Sequence, residues 1–104
     1  MTPEGEVKQE IIEGLEALGC YRYGSTIEDC YCTGGFFMPV QTGFGGRAVD
    51  FLVNYKGRFI AIEAKRAEGG KLSGLQRKFI ERTNKTGGIG IVARCWEDVR
   101  ERLP

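Results

Sequence analysis

Apolar side chains recur at Val7, Ile11, Leu15 and Leu18, the i, i+4, i+8, i+11 spacing of an amphipathic helix. Thr2-Pro3-Glu4 gives that helix its start, with Thr as N-cap, proline in the first helical position and an acid in the first turn. Gly19 gives it a stop. Glu4 lies one turn before Val7 and extends the inward stripe. It either compensates the helix dipole or points over the neighbouring sheet. Glu6 and Glu10 fall off the stripe and are expected in solvent. Further along, two β-rich runs, 47–55 and 58–65, meet at Lys56-Gly57. A two-residue turn there, with glycine supplying positive φ, predicts a hairpin that pairs Tyr55 with Arg58. Ser73 and Gln76 have capping-box spacing and open a second helix. Leu72, Phe79, Ile80 and Thr83 mark the inner face of that helix, and Gln76 shares it. Gly87-Gly88 break it, residues 89–94 read as a short strand buried on both faces, and residues 96–103 read as a closing helix.

Residues 20–46 carry no clean period. Tyr21, Tyr23, Tyr31, Phe36, Phe37 and Phe44 alternate with glycines, which predicts short strands or a strand pair within a glycine-rich connection. These aromatics are expected in the core more than as base-stacking platforms, and the exposed ones are candidates for a dimer interface. Gly43-Phe44-Gly45-Gly46 is a weak candidate for a backbone that approaches phosphate. The order is helix, irregular β region, hairpin, helix, strand, helix: an α/β chain whose 104 residues make one domain.

The hairpin register changes the picture most. Extended from Tyr55–Arg58, it sets Asp50 opposite Glu63, with Cβ atoms about 4.5–5.5 Å apart. Lys65 lies two residues beyond Glu63 and projects from the same face. Opposed like charges destabilise a sheet, so the pair makes sense as a cation site. A lysine beside it can orient a water or stabilise charge on a phosphate. The residues point to a metal-dependent phosphodiesterase. Gln76 either serves only its cap or also reaches this site.

Formal net charge is +1, so any nucleic-acid affinity must be local. Lys65, Arg66, Lys71, Arg77, Lys78, Arg82 and Lys85 cluster after the hairpin, whereas the first sixteen residues set Glu4, Glu6, Glu10, Glu13 and Glu16 against Lys8. A charge run is either a solvated face or a binding face. No apolar run reaches the roughly 18 residues of a membrane span, and the N-terminus has no signal-peptide pattern. Cytoplasmic residence and reduced thiols are expected. Cys20, Cys30, Cys32 and Cys95 lack zinc-site spacing and the chain has no histidine, which removes imidazole bases and histidine-dependent triads.

The ordered set Thr2-Pro3-Glu4, Asp50, Glu63-Ala64-Lys65, Gly70-Lys71-Leu72-Ser73, Gln76, Gly87-Gly88 and Glu97-Asp98-Val99 resembles the VRR-NUC family of the PD-(D/E)XK nuclease superfamily. The match spans nearly the whole chain except residues 20–46. It implies a restriction-endonuclease-like core, a mixed β-sheet flanked by helices, and Mg²⁺- or Mn²⁺-dependent phosphodiester hydrolysis. It also implies that Asp50, Glu63 and the Ala64 carbonyl are metal ligands and that Lys65 is the catalytic lysine. Glu4 matches the acid of the first helix and Gln76 the glutamine of the helix after the motif. Where the family often has Gly-x-Pro before the aspartate, this chain has Arg47-Ala48-Val49, which alters how the strand begins and leaves Arg47 to contact a phosphate. Stand-alone members are similar to virus-encoded proteins that act as homodimers on four-way (Holliday) junctions, which implies branched DNA as partner. The DNA-contacting candidates are Arg47, Arg66, Lys71, Arg77, Lys78 and Lys85. The alternatives are a flap, duplex-nicking or repair nuclease, a non-catalytic nucleic-acid-binding module, and a small metal-binding or scaffold protein in which the hairpin is incidental.

Overall fold

The computed structural model describes residues 1–23, 34–40 and 49–104. Among these, the chain runs α1 (Pro3–Ala17), β1 (Cys20–Arg22), β2 (Gly35–Pro39), β3 (Phe51–Tyr55), β4 (Arg58–Ala64), α2 (Gly74–Lys85), β5 (Ile89–Ala93) and α3 (Trp96–Arg100). The five strands form one sheet in chain order. The outer pairs β1–β2 and β4–β5 are parallel, while β2–β3 and β3–β4 are antiparallel. The fold is α/β with a mixed five-stranded sheet and helices on both faces, and no described helix is long and apolar enough to cross a membrane.

Alternation along the central strands divides the core. Phe51, Val53, Ile60, Ile62 and Ala64 face Val7, Ile11, Ile12 and Leu15 of α1 and Val99 of α3. Ala61 of β4 faces the other way, packing with Val49 against Ile80 of α2, with Leu52, Phe79 and Val92 around them. Two-residue periodicity in a strand between two helix layers requires this split. The irregular region yields two short strands; in β2 Phe37 is fully buried and Phe36 exposed, and Tyr23, just after β1, is exposed. Tyr31 and Phe44, together with the glycine cluster 43–46, lie outside the described residues.

Local chemistry sets the element ends. The Thr2 hydroxyl accepts from the Gly5 N–H at 3.0 Å. Ser73 and Gln76 make both halves of the predicted capping box at 3.1 Å each. Lys56 and Gly57 both adopt positive φ, 51° and 79°, the type I′ geometry that matches strand twist. Two expectations are corrected. Glu10 is not merely solvated: its Oε1 accepts the Trp96 N–H at 2.7 Å and caps α3, whose own N-cap, Cys95, offers no side-chain bond. The closing helix stops at Arg100 rather than 103, because the chain turns at residues 101–102 to lay Leu103 against the main core.

Candidate metal centre

β3 and β4 pair in the register that the turn dictates, from Tyr55–Arg58 to Phe51–Ile62. The ladder stops one pair before Asp50 and Glu63, and Asp50 sits in a bend. Side chains replace the missing rung. The Asp50 N–H donates to Glu63 Oε1 at 3.0 Å, and the Ala64 N–H donates to Asp50 Oδ2 at 2.9 Å. Each carboxylate is therefore fixed by the backbone of the opposite segment. The expectation of directly opposed side chains becomes a reciprocal clasp.

Two ammonium groups hold the other edges of the carboxylates. Lys65 Nζ lies 3.2 Å from Glu63 Oε2 and 3.7 Å from Glu4 Oε1. Lys8 Nζ lies 3.3 Å from Asp50 Oδ1. Glu4 thus reaches the hairpin from α1 through Lys65. The Lys65 stem runs beside Gly70, where a Cβ would come within 3.2 Å of the Lys65 Cβ. Lys65 is held in place after β4 by its own N–H, which donates to the Ala93 carbonyl at 2.9 Å.

Glu63 is 1% exposed. Burial pushes its carboxyl from 4.5 up to about 7, the hydrogen bond and charge of Asp50 push the same way, and Lys65 opposes them. Two adjacent acids in a poorly solvated site resist joint ionisation, and a divalent cation relieves that strain. Charge density of this kind marks functional sites more often than it marks structural ones.

The donor set suits a hard cation. It consists of carboxylate oxygens, and each carboxylate has one oxygen fixed by a backbone donor and the other beside a lysine ammonium. Among the described residues no three His, Cys, Asp or Glu side chains gather into a larger cluster. Two acids are enough for Mg²⁺, which keeps several waters and takes one or two carboxylates. Ala64 enters the site through its N–H.

The remaining candidates divide. Gln76 spends its side-chain oxygen on the Ser73 N–H, and the structure does not bring it to the acidic pair. Arg66, Lys71, Arg77, Lys78 and Lys85 are all exposed, on the loop after β4 and on α2. Arg47 lies outside the described residues.

Sequence reasoning missed two residues. Lys8 read as a lone cation on an acidic helix, yet it follows Glu4 by four positions and shares its face. Arg94 read as a strand end, yet it clamps the basic loop, donating to the Arg66 carbonyl at 2.7 Å and the Gly70 carbonyl at 2.9 Å. Its own N–H is held by Asp98 Oδ2 at 2.9 Å.

The chain matches no family, no curated protein and no solved structure.

Proposed function

We infer that the chain is a metal-dependent, structure-selective DNA endonuclease with a restriction-endonuclease-like core, acting as a homodimer on four-way junctions. The observation that carries this reading is the clasped Asp50–Glu63 pair with the Lys65 ammonium 3.2 Å from Glu63. A Mg²⁺ or Mn²⁺ ion bound there supplies Lewis-acid polarisation of a phosphoryl oxygen. Asp50 and Glu63 would hold the cation, each carboxylate already oriented through its other oxygen by a backbone N–H. Lys65, steadied by Glu63 and Glu4, stabilises charge that develops on the scissile phosphate. Exposed Arg66, Lys71, Arg77, Lys78 and Lys85 neutralise neighbouring phosphates. Branched DNA and a two-fold subunit pair come from the VRR-NUC resemblance, as does action in the cytoplasm of an infected cell. Exposed Phe36, Met38, Phe59 and Leu75 offer apolar surface for the partner subunit.

The test incubates purified protein and Mg²⁺ with labelled junction, flap, duplex and single-stranded DNA. Asp50→Asn and Glu63→Gln should each cut the junction more than about 100-fold more slowly, the rate equivalent of several kcal/mol of lost charge stabilisation. Either variant cutting at the wild-type rate removes the metal-site assignment.

A further inference from the structure

Lys8 stands apart from the other cation of the site. Lys65 is wedged, with its side chain 12% exposed between Glu63 and Glu4. Among the described residues Lys8 pairs with Asp50 Oδ1, at 3.3 Å, and its side chain is 30% exposed. Asp50 does not depend on Lys8 for its position, because the Ala64 N–H already holds Oδ2. Oδ1 is therefore the open edge of a fixed carboxylate, and the ammonium covers it from the solvent side.

We propose that Lys8 is a resident counter-ion of the acidic pair, occupying the edge of Asp50 that a divalent cation takes, so that metal and Lys8 exclude one another. This rests on the metal-site reading above. Cations a few ångströms apart repel strongly in a partly desolvated site, so metal can bind Oδ1 only after the ammonium leaves. The lysine stem is flexible and its head is strongly hydrated, so it can swing out without moving α1. In the metal-free protein Lys8 offsets the repulsion between the two acids and keeps their geometry ready. The same contact lowers metal affinity. Lys8 thereby sets the metal concentration at which the site fills.

Calorimetric titration of Mn²⁺ into the metal-free, full-length chain tests this without any cleavage assay. Lys8→Met should bind Mn²⁺ about fivefold more tightly than wild type, the scale of a partly exposed ion pair. Lys8→Arg, which keeps the charge, should bind within about twofold of wild type. Arg82→Met is the control for net charge. Arg82 lines a groove with Phe59, four residues before Glu63 on β4, so its loss should leave affinity unchanged. Saturating Mn²⁺ should also raise acylation of Lys8 in the wild type. If wild type and Lys8→Met bind equally, or if Arg82→Met tightens binding as much, the exchange is wrong and the metal site stands. If Asp50→Asn abolishes wild-type binding yet Lys8 acylation never responds to Mn²⁺, the exchange again falls alone. If neither wild type nor Lys8→Met binds Mn²⁺, both fall together.

Discussion

Glu63 is the described carboxyl that burial raises, from 4.5 to about 7. Between those values the folded protein holds a proton that the unfolded chain has released. Stability in the absence of metal therefore falls as pH rises from 4.5, and the loss is complete above about 7. A shift of this size is worth on the order of 3 kcal/mol. Glu63→Gln removes the titration, since an amide oxygen can still accept the Asp50 N–H. Relative to that variant, wild type should lose on the order of 10 °C in melting temperature between acid and neutral pH, at about 4–8 °C per kcal/mol. Parallel pH profiles for the two proteins would show that Glu63 is ionised throughout. Lys65 is a separate case, because the role proposed for it is electrostatic, at a phosphate. Lys65→Ala should lower turnover about 100-fold or more, while junction binding changes little. Equal losses of binding and rate would make Lys65 a phosphate clamp.

The elements are joined by contacts that local pattern cannot announce. α1 and α3 meet where a Cβ built on Gly14 would overlap the Trp96 indole. Replacing a mid-helix glycine with alanine ordinarily stabilises by about 1 kcal/mol, but overpacking costs about 1–3 kcal/mol. Gly14→Ala should therefore lower the urea midpoint, and adding Trp96→Leu should restore it, with circular dichroism as the probe common to both variants. A midpoint raised by Gly14→Ala alone would mean that the indole is not seated on the helix. The hairpin was legible because a two-residue turn fixes every later pair, and both helix starts were legible because capping is local chemistry. The register even placed Asp50 beside Glu63. It did not reveal that the ladder ends first and that the two side chains finish it, which depends on the bend at Asp50. The partners of Lys8 and Glu10, Asp50 and Trp96, lie more than forty residues away in sequence, so neither contact shows in the local pattern. Long-range polar contacts leave no periodic trace.

At the scale of the whole molecule, the chain measures 37 × 34 × 27 Å, and its described residues carry one clasped acidic pair. Its longest dimension equals about eleven base pairs of duplex, at about 3.4 Å per step, a length that suits the proposed grip on one junction arm. Resolving a four-way junction needs two cuts in strands related by approximate two-fold symmetry. A two-fold dimer places identical sites on both. Phe36, Met38 and Phe59 share one face of the sheet through their register across β2, β3 and β4, and all three are exposed. An apolar face of this kind is a suitable partner surface. Light scattering at micromolar concentration should then report about twice the 11.6 kDa chain mass. Phe59→Lys should shift the protein toward monomer while leaving Mn²⁺ binding at Asp50 and Glu63 intact. In Mg²⁺, an immobile junction should be cut by paired nicks in opposing strands, and matched duplex should persist under the same conditions. A monomer that cuts flaps or duplex as readily as junctions would remove the junction assignment and leave the phosphodiesterase site in place.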